Sequence, residues 1–239
     1  MTLRDGEYGF NLIELMVAIA IAGVLLGLGL SSARTMLVSN KTRSAAESMQ
    51  AGLMMARAEA IRRNAPMRFQ LVSNLAAGCT LSSSGQLWIV SQTDQVARGD
   101  VSGVCNSQPY TPPDQPDPCS PDPGVCPTTG TPPANCRPTG NPAACASDPW
   151  IAYKSPPIGS TDYSTTGTGA GGAGAASTVT FGPIGQVLPN LGSTTTLGMI
   201  TVTPVSVTDA KTWAVRITPS SGAIKLCDPS KASTDPLGC

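Results

Sequence analysis

The 239-residue sequence contains no histidine, and only 4% of its residues are aromatic and 13% charged. Without histidine, a histidine-based catalytic triad and a histidine metal site are both excluded. Fifteen Lys and Arg residues balance fifteen Asp and Glu residues, which disfavours nucleic acid as an obligatory partner. The isolated Asp and Ser residues lack the local motifs that identify a catalytic nucleophile. The sequence therefore predicts a non-enzymatic protein without a cofactor or metal.

Glycine, proline and cysteine are plentiful: the chain has 25 Gly, 22 Pro and 8 Cys. Such a composition is typical of a loop-rich and strand-rich domain outside the cytoplasm. An even number of cysteines indicates disulfides formed in an oxidising compartment, although it does not fix their pairing. Zinc is disfavoured because the closest cysteines are seven and nine positions apart and no histidine accompanies them. The candidates for disulfide formation are Cys79, Cys105, Cys119, Cys126, Cys136, Cys145, Cys227 and Cys239.

A run of 19 uncharged residues extends from Leu15 to Ala33. A helix of about 20 apolar residues can cross a membrane core of about 30 Å, so the run predicts a membrane span. A cleaved secretory signal would have a shorter apolar core after a basic start. A plain signal anchor leaves Glu14 unexplained, because a carboxylate near the membrane needs a partner or a position at the headgroup boundary.

Residues 9–28 read GFNLIELMVAIAIAGVLLGL and resemble the prepilin signature. In that family a membrane-embedded peptidase cuts after the Gly and methylates the new N-terminus, so the apolar helix is retained. The resemblance implies cleavage between Gly9 and Phe10, N-methylation of Phe10, and pairing of Glu14 with the terminal amine of a neighbouring subunit. Many pilins carry Pro where this chain has Ser31, so whether the helix unwinds near Gly27–Ser31 on assembly stays open.

The helical pattern continues beyond the predicted span. Apolar residues recur three or four positions apart and form one stripe, consisting of Ala45, Met49, Leu53, Ala56 and Ala60. Pro66 predicts that the helix ends by Asn64. A helix from Phe10 to Arg63 would measure about 80 Å, so its second half must dock on a globular head. The predicted organisation is a leader (1–9), two helix halves (10–33 and 34–64) and a head (65–239).

The stretch RAEAIRRNAPMRF, residues 57–69, resembles a segment that marks H-type pseudopilins and related minor pilins. Its basic residues Arg62, Arg63 and Arg68 also suggest nucleic-acid binding. Cations at the C-terminal end of a helix dipole explain them more simply.

Short runs rich in β-branched or alternating residues predict strands in the head. They cover Met67–Val72, Gln86–Ser91, Thr178–Phe181, Met199–Val205 and Thr212–Thr218. Segments VTFGPIGQV and RITPSSGAIKLCDP resemble late strands of the same family. Residues 105–149 form a Cys- and Pro-rich insert that depends on disulfides for order. The Gly-, Ala- and Thr-rich segment 165–176 predicts a flexible loop.

The resulting fold prediction is α+β: a pilin fold with a long N-terminal helix, transmembrane in its first half, packed on an antiparallel sheet. The resemblance implies a structural minor pilin of a type IV pilus that primes or tips the filament. Before assembly it would be held in the bacterial inner membrane with a periplasmic head. Its expected partners are other pilin or pseudopilin subunits, the prepilin peptidase, and a tip adhesin as a further possibility. The alternatives are a pseudopilin H of a type II secretion system and a DNA-binding subunit of a competence pilus.

The last two cysteines enclose CDPSKASTDPLGC at the C-terminus. Similar terminal disulfide loops occur in many pilins, and this resemblance implies a Cys227–Cys239 bridge. Cys79 and the five cysteines of the insert would then share the remaining bonds. Closing a loop of this size stabilises a fold by about 3 kcal/mol.

Overall fold

The computed structural model describes residues 11–92, 101–103, 105–106, 150–157, 159–190 and 194–239, without the side chains of 25–32 and 150. Helix α1 (Leu12–Arg63) is continuous over 52 residues, including the stretch Gly27–Ser31. It ends at Asn64, which adopts a left-handed conformation (φ 51°), while Ala65 N–H donates to the Ala60 carbonyl. The predicted end of the helix is therefore confirmed, and the helix is unbroken in the single subunit.

Two antiparallel sheets form the head. The first has the order β3-β2-β1-β5-β6, with β1 (Met67–Val72), β2 (Leu87–Gln92), β3 (Trp150–Lys154), β5 (Thr178–Phe181) and β6 (Val187–Leu188). The second has the order β4-β7-β8-β9, with β4 (Tyr163–Gly169), β7 (Leu197–Pro204), β8 (Trp213–Ile217) and β9 (Ile224–Cys227). The five strands predicted from the sequence are present, with bounds shifted by no more than two residues. The α+β prediction is confirmed.

The second half of α1 packs across both sheets. The predicted stripe faces this core: Met49, Leu53, Ala56 and Ala60 are buried, and Ala45 packs at its margin. Both sheets contribute side chains to this core, among them Phe69, Phe181, Ile200 and Val215. A smaller cluster combines Val72 of β1, Ile89 of β2 and Ile151 of β3 with the buried Cys79 and Cys105.

The prediction of a flexible loop at 165–176 is wrong over its first part. Residues 165–169 belong to β4, which pairs along its length with β7, and Ala170–Gly172 form a short 3-10 turn. The glycines serve close packing in the strand. A Cβ at Gly167 would lie 2.2 Å from the Ala176 carbonyl oxygen, so a larger residue would push the chain off β4. Glycine-rich composition here reflects a close approach of two backbones.

Candidate assembly surface

The first half of α1 has no buried side chain where its side chains are described. From Leu12 to Val24 every side chain is exposed, and the most exposed of its large apolar ones are Leu12 (74%), Ile13 (66%), Ile19 (64%) and Val24 (64%). Among the described residues, no helix combines the length and hydropathy of a membrane span. Residues 25–32 of the predicted span have side chains outside that description. Residues 12–24 thus present an apolar surface on all sides and bury no side chain against the head.

Of the residues predicted for processing and assembly, Gly9 and Phe10 lie outside the described residues. Glu14 lies in the first turn of α1, where its backbone N–H donates to the Asn11 carbonyl at 3.0 Å. Its side chain is exposed. A carboxylate in this position is accessible to a second molecule, and it lies far from the head that holds the other end of the helix.

Arg57, in the docked half of α1, joins two turns that belong to different sheets. Its Nε donates to the Gly185 carbonyl at 3.0 Å, in the turn between β5 and β6. Its Nη2 donates to the Ser221 carbonyl at 3.2 Å, in the turn between β8 and β9. The two turns also touch, since a Cβ at Gly222 would lie 2.1 Å from the Gly185 carbonyl oxygen. Arg57 therefore fixes the sheets to each other as well as to the helix.

Glu59 binds two of the three arginines that suggested nucleic-acid binding. Its Oε1 lies 2.5 Å from Arg62 Nη2 and 2.5 Å from Arg63 Nε. The hydrogen bond from Arg62 and the charge of both arginines lower the pKa of Glu59, against the effect of burial. Arg68 is itself buried at the start of β1. Arg62 and Arg63 are therefore paired with Glu59 and Arg68 is buried, so the three do not form one exposed basic patch. The spacing of three and four positions from Glu59 could have revealed the pairs in the sequence.

The beginning of the docked half is held by polar contacts. Lys41 Nζ lies 2.5 Å from Asp162 Oδ2, just before β4. The hydrogen bond from Lys41 lowers the pKa of Asp162. Because Lys41 is more than half exposed, this ion pair adds little stability, but it helps fix the position of the helix.

Two disulfides lie in the described residues. One joins Cys79 to Cys105, with Cα atoms 6.1 Å apart, and so secures the segment after β2 to the smaller buried cluster. The other joins Cys227 to Cys239, the pair that the resemblance implied, with Cα atoms 5.1 Å apart. The remaining candidates, Cys119, Cys126, Cys136 and Cys145, lie outside the described residues.

Comparison with known families agrees with this arrangement. The family described as Type II transport protein GspH matches residues 45–222, which is well over half of the chain. The chain belongs to the GspH family. The motif described as a prokaryotic N-terminal methylation motif matches residues 4–30, which include Gly9, Phe10 and Glu14. The predicted membership of the type IV pilin-like proteins, in the group with pseudopilin H, is therefore confirmed.

One solved structure resembles this GspH-family chain distantly. A crystal structure of the type IV minor pilin FimU from Pseudomonas aeruginosa PAO1 is 16% identical to it. That match covers 82% of this chain and 95% of the FimU chain, with a TM-score of 0.39. No curated protein matches the chain.

Proposed function

We propose that this GspH-family chain is a minor pilin of a type IV pilus and enters the filament through the first half of α1. The observation that carries the proposal is the contrast between the two halves of one helix. The second half buries its apolar stripe in the head, whereas residues 12–24 expose apolar side chains on all sides. A surface of this kind requires lipid or other helices around it.

Both environments would be used in turn. Before assembly the apolar half anchors the chain in the inner membrane, with the head in the periplasm. After cleavage behind Gly9, the methylated amine of Phe10 begins the mature helix. Glu14 then pairs with the terminal amine of a neighbouring subunit, because a carboxylate moved into an apolar filament core is stable only when it is paired. The match of residues 4–30 to the methylation motif supports this sequence of events.

A pseudopilin of a type II secretion system is the second candidate, supported by the description of the matching family. We prefer the pilus because the Cys- and Pro-rich insert at 105–149 suits an elaborated face at a filament tip, where it could contact an adhesin. Under either hypothesis the protein is structural, and its partners are other pilin-like subunits and the prepilin peptidase.

A DNA-binding subunit of a competence pilus has less support. Glu59 neutralises part of the charge of Arg62 and Arg63, and Arg68 is buried. Phosphate contacts require accessible positive charge and weaken steeply with salt. DNA retardation by the protein that disappears at raised salt would support this alternative, and none is expected here.

The test replaces Glu14 by Ala and uses Glu47→Ala as the matched control. Glu47 lies on the same helix and forms an exposed ion pair with Arg43, within one subunit. Glu14→Ala should insert in the membrane normally, since the span becomes more apolar, but should be strongly depleted from sheared surface filaments. Glu47→Ala should be recovered at the wild-type level.

Equal recovery of both variants would remove the assembly role of Glu14. A strain in which this subunit is deleted distinguishes the two filaments. A pilus subunit is found in surface filaments, whereas deletion of a secretion pseudopilin stops protein export and leaves the surface filaments unchanged.

A further inference from the structure

Lys211, in the loop between β7 and β8, is bound through its backbone to α1. Its carbonyl accepts a hydrogen bond from the Thr42 hydroxyl at 3.0 Å, and its N–H donates to Ser39 Oγ at 3.3 Å. Thr42 is fully buried at this contact. One turn at the start of the docked half-helix therefore holds both backbone polar groups of Lys211.

The side chain of Lys211 extends to the C-terminal loop. Its Nζ lies 3.0 Å from Asp228 Oδ2 and 4.6 Å from the centre of the Trp213 ring. The guanidinium of Arg43, on α1, approaches the same ring at 5.3 Å. The Asp228 side chain is only 4% exposed, and a buried carboxylate depends strongly on its partners. The ion pair thus connects the loop to a residue that is already fixed to the helix.

Asp228 is held in place by the loop that the Cys227–Cys239 disulfide closes. Its N–H donates to the Leu237 carbonyl at 2.7 Å, near the far end of the loop. Its Oδ1 accepts hydrogen bonds from the hydroxyl (2.6 Å) and the N–H (3.0 Å) of Ser230. The Ser230 hydroxyl and then Lys211 lower the pKa of Asp228 to about 2. The loop therefore orients the carboxylate, through Ser230 on one side and the Leu237 carbonyl on the other.

We propose that the disulfide-closed C-terminal loop clamps the first docked turn of α1 onto the head, with Lys211 as the connecting residue. The closed loop positions Asp228, Asp228 positions the side chain of Lys211, and the backbone of Lys211 holds Ser39 and Thr42. This turn lies next to the exposed half of the helix, so the clamp sets the direction in which that half leaves the head. The inference concerns the single subunit and does not depend on which filament it enters.

Hydrogen exchange of the full-length chain in detergent micelles tests the clamp. Opening the loop with Cys227→Ser/Cys239→Ser should accelerate exchange of the helix amides at 38–46 by a factor of about three to ten. Lys211→Met should give a similar acceleration, and Lys211→Arg should retain the protection. Amides at 53–60, in the far part of the same helix, are the internal reference and should not change.

Combining the changes identifies Lys211 as the connection. When Lys211→Met is combined with the open loop, amides 38–46 should exchange no faster than in the faster of the two separate variants. Both changes break the same chain of contacts, so their effects should not add. Lys41→Met is the matched control: it removes the separate contact with Asp162. The acceleration of exchange caused by Lys41→Met should therefore multiply with the acceleration caused by opening the loop. Asp228→Asn keeps the disulfide and should also accelerate exchange at 38–46. This variant tests the same contact even if the double serine variant misfolds.

The proposal is wrong if the open loop accelerates amides at 228–238 but leaves those at 38–46 unchanged. It is equally wrong if the effects of Lys211→Met and the open loop multiply. Neither result bears on assembly, which the Glu14 and Glu47 variants test separately.

Discussion

Gly52 lies where α1 packs directly against Trp88 of β2, and its replacement by Ala should destabilise the protein. A Cβ at this position would lie 2.6 Å from Cε2, 2.7 Å from Cδ2 and 2.8 Å from Cζ2 of Trp88. All three separations are shorter than contacts that Cβ atoms make in proteins, so either the helix or the indole must shift.

The indole of Trp88 has little freedom to move. It is 4% exposed and stacks on Phe69, with ring centres 5.8 Å apart. Its Nε1 donates to Ser48 Oγ at 3.3 Å, one turn before Gly52 on α1. A shift of the ring would disturb the stack and the hydrogen bond together, while a shift of the helix would disturb its whole buried stripe.

The expected magnitude follows from two opposing effects. Overpacking a well-filled core costs about 1–3 kcal/mol, and a rigid ring places this site at the upper end. Ala is favoured over Gly within a helix by about 1 kcal/mol. The net loss in the free energy of unfolding is about 2 kcal/mol, which lowers Tm by about 4–8 °C in a protein of this size.

Thermal unfolding of the full-length chain in detergent measures this difference. Gly23→Ala is the matched control, because it lies on the same helix and its added Cβ would meet nothing within 4 Å. It should leave Tm unchanged or slightly raised. In a Trp88→Phe background, the smaller ring should reduce the loss caused by Gly52→Ala. A Gly52→Ala protein as stable as the wild type would refute the close contact of helix and sheet described here.

Three further changes have defined outcomes. Gly9→Val should leave uncleaved precursor in the membrane fraction on a denaturing gel, because the peptidase site accepts a residue without a side chain; normal processing would contradict this. Arg57→Ala should lower the free energy of unfolding in denaturant by about 1–3 kcal/mol, since it removes the hydrogen bonds to Gly185 and Ser221, and an unchanged midpoint would argue against that link. Asp228 has its pKa lowered from 3.8 to about 2, so its contribution to stability is complete above about pH 4 and is lost as the pH falls through 2. Asp228→Asn should weaken this acid dependence of Tm, and an identical pH profile would contradict it.

The helix was the most predictable part of the fold. Its apolar spacing gave the buried stripe from Met49 to Ala60, and Pro66 gave its end at Asn64, because both signals act within a few residues. The prepilin-like segment could likewise be recognised from adjacent residues alone. Glu14 could be singled out because a lone acid beside a long apolar run has few physical explanations.

β3 and β4 lay outside both the five predicted strands and the two late-strand segments, because composition hid their signals. β4 alternates Thr with Gly, and glycine at the inward positions Gly167 and Gly169 has no apolar side chain to register as a strand. β3 follows directly after the Pro-rich insert, where the short run Trp150–Lys154 provides little contrast. Composition indicates flexibility in such segments, whereas strand pairing decides their structure.

Contacts between distant segments could not be predicted. Arg57 binds turns that follow it by 128 and 164 residues, and Lys211 lies 169 residues beyond Thr42. The sequence around each of these residues contains no signal that identifies its partner. They depend on how the two sheets are placed around the helix, which is a property of the complete fold.

The most direct test of a filament subunit with a retained apolar helix is the intact mass of the mature chain in sheared filaments. We expect a chain that begins at N-methylated Phe10 and contains α1 from its first turn. A mature chain that begins beyond Ala33 would contradict it, because the apolar half of the helix would then be a discarded signal and could not form the assembly surface.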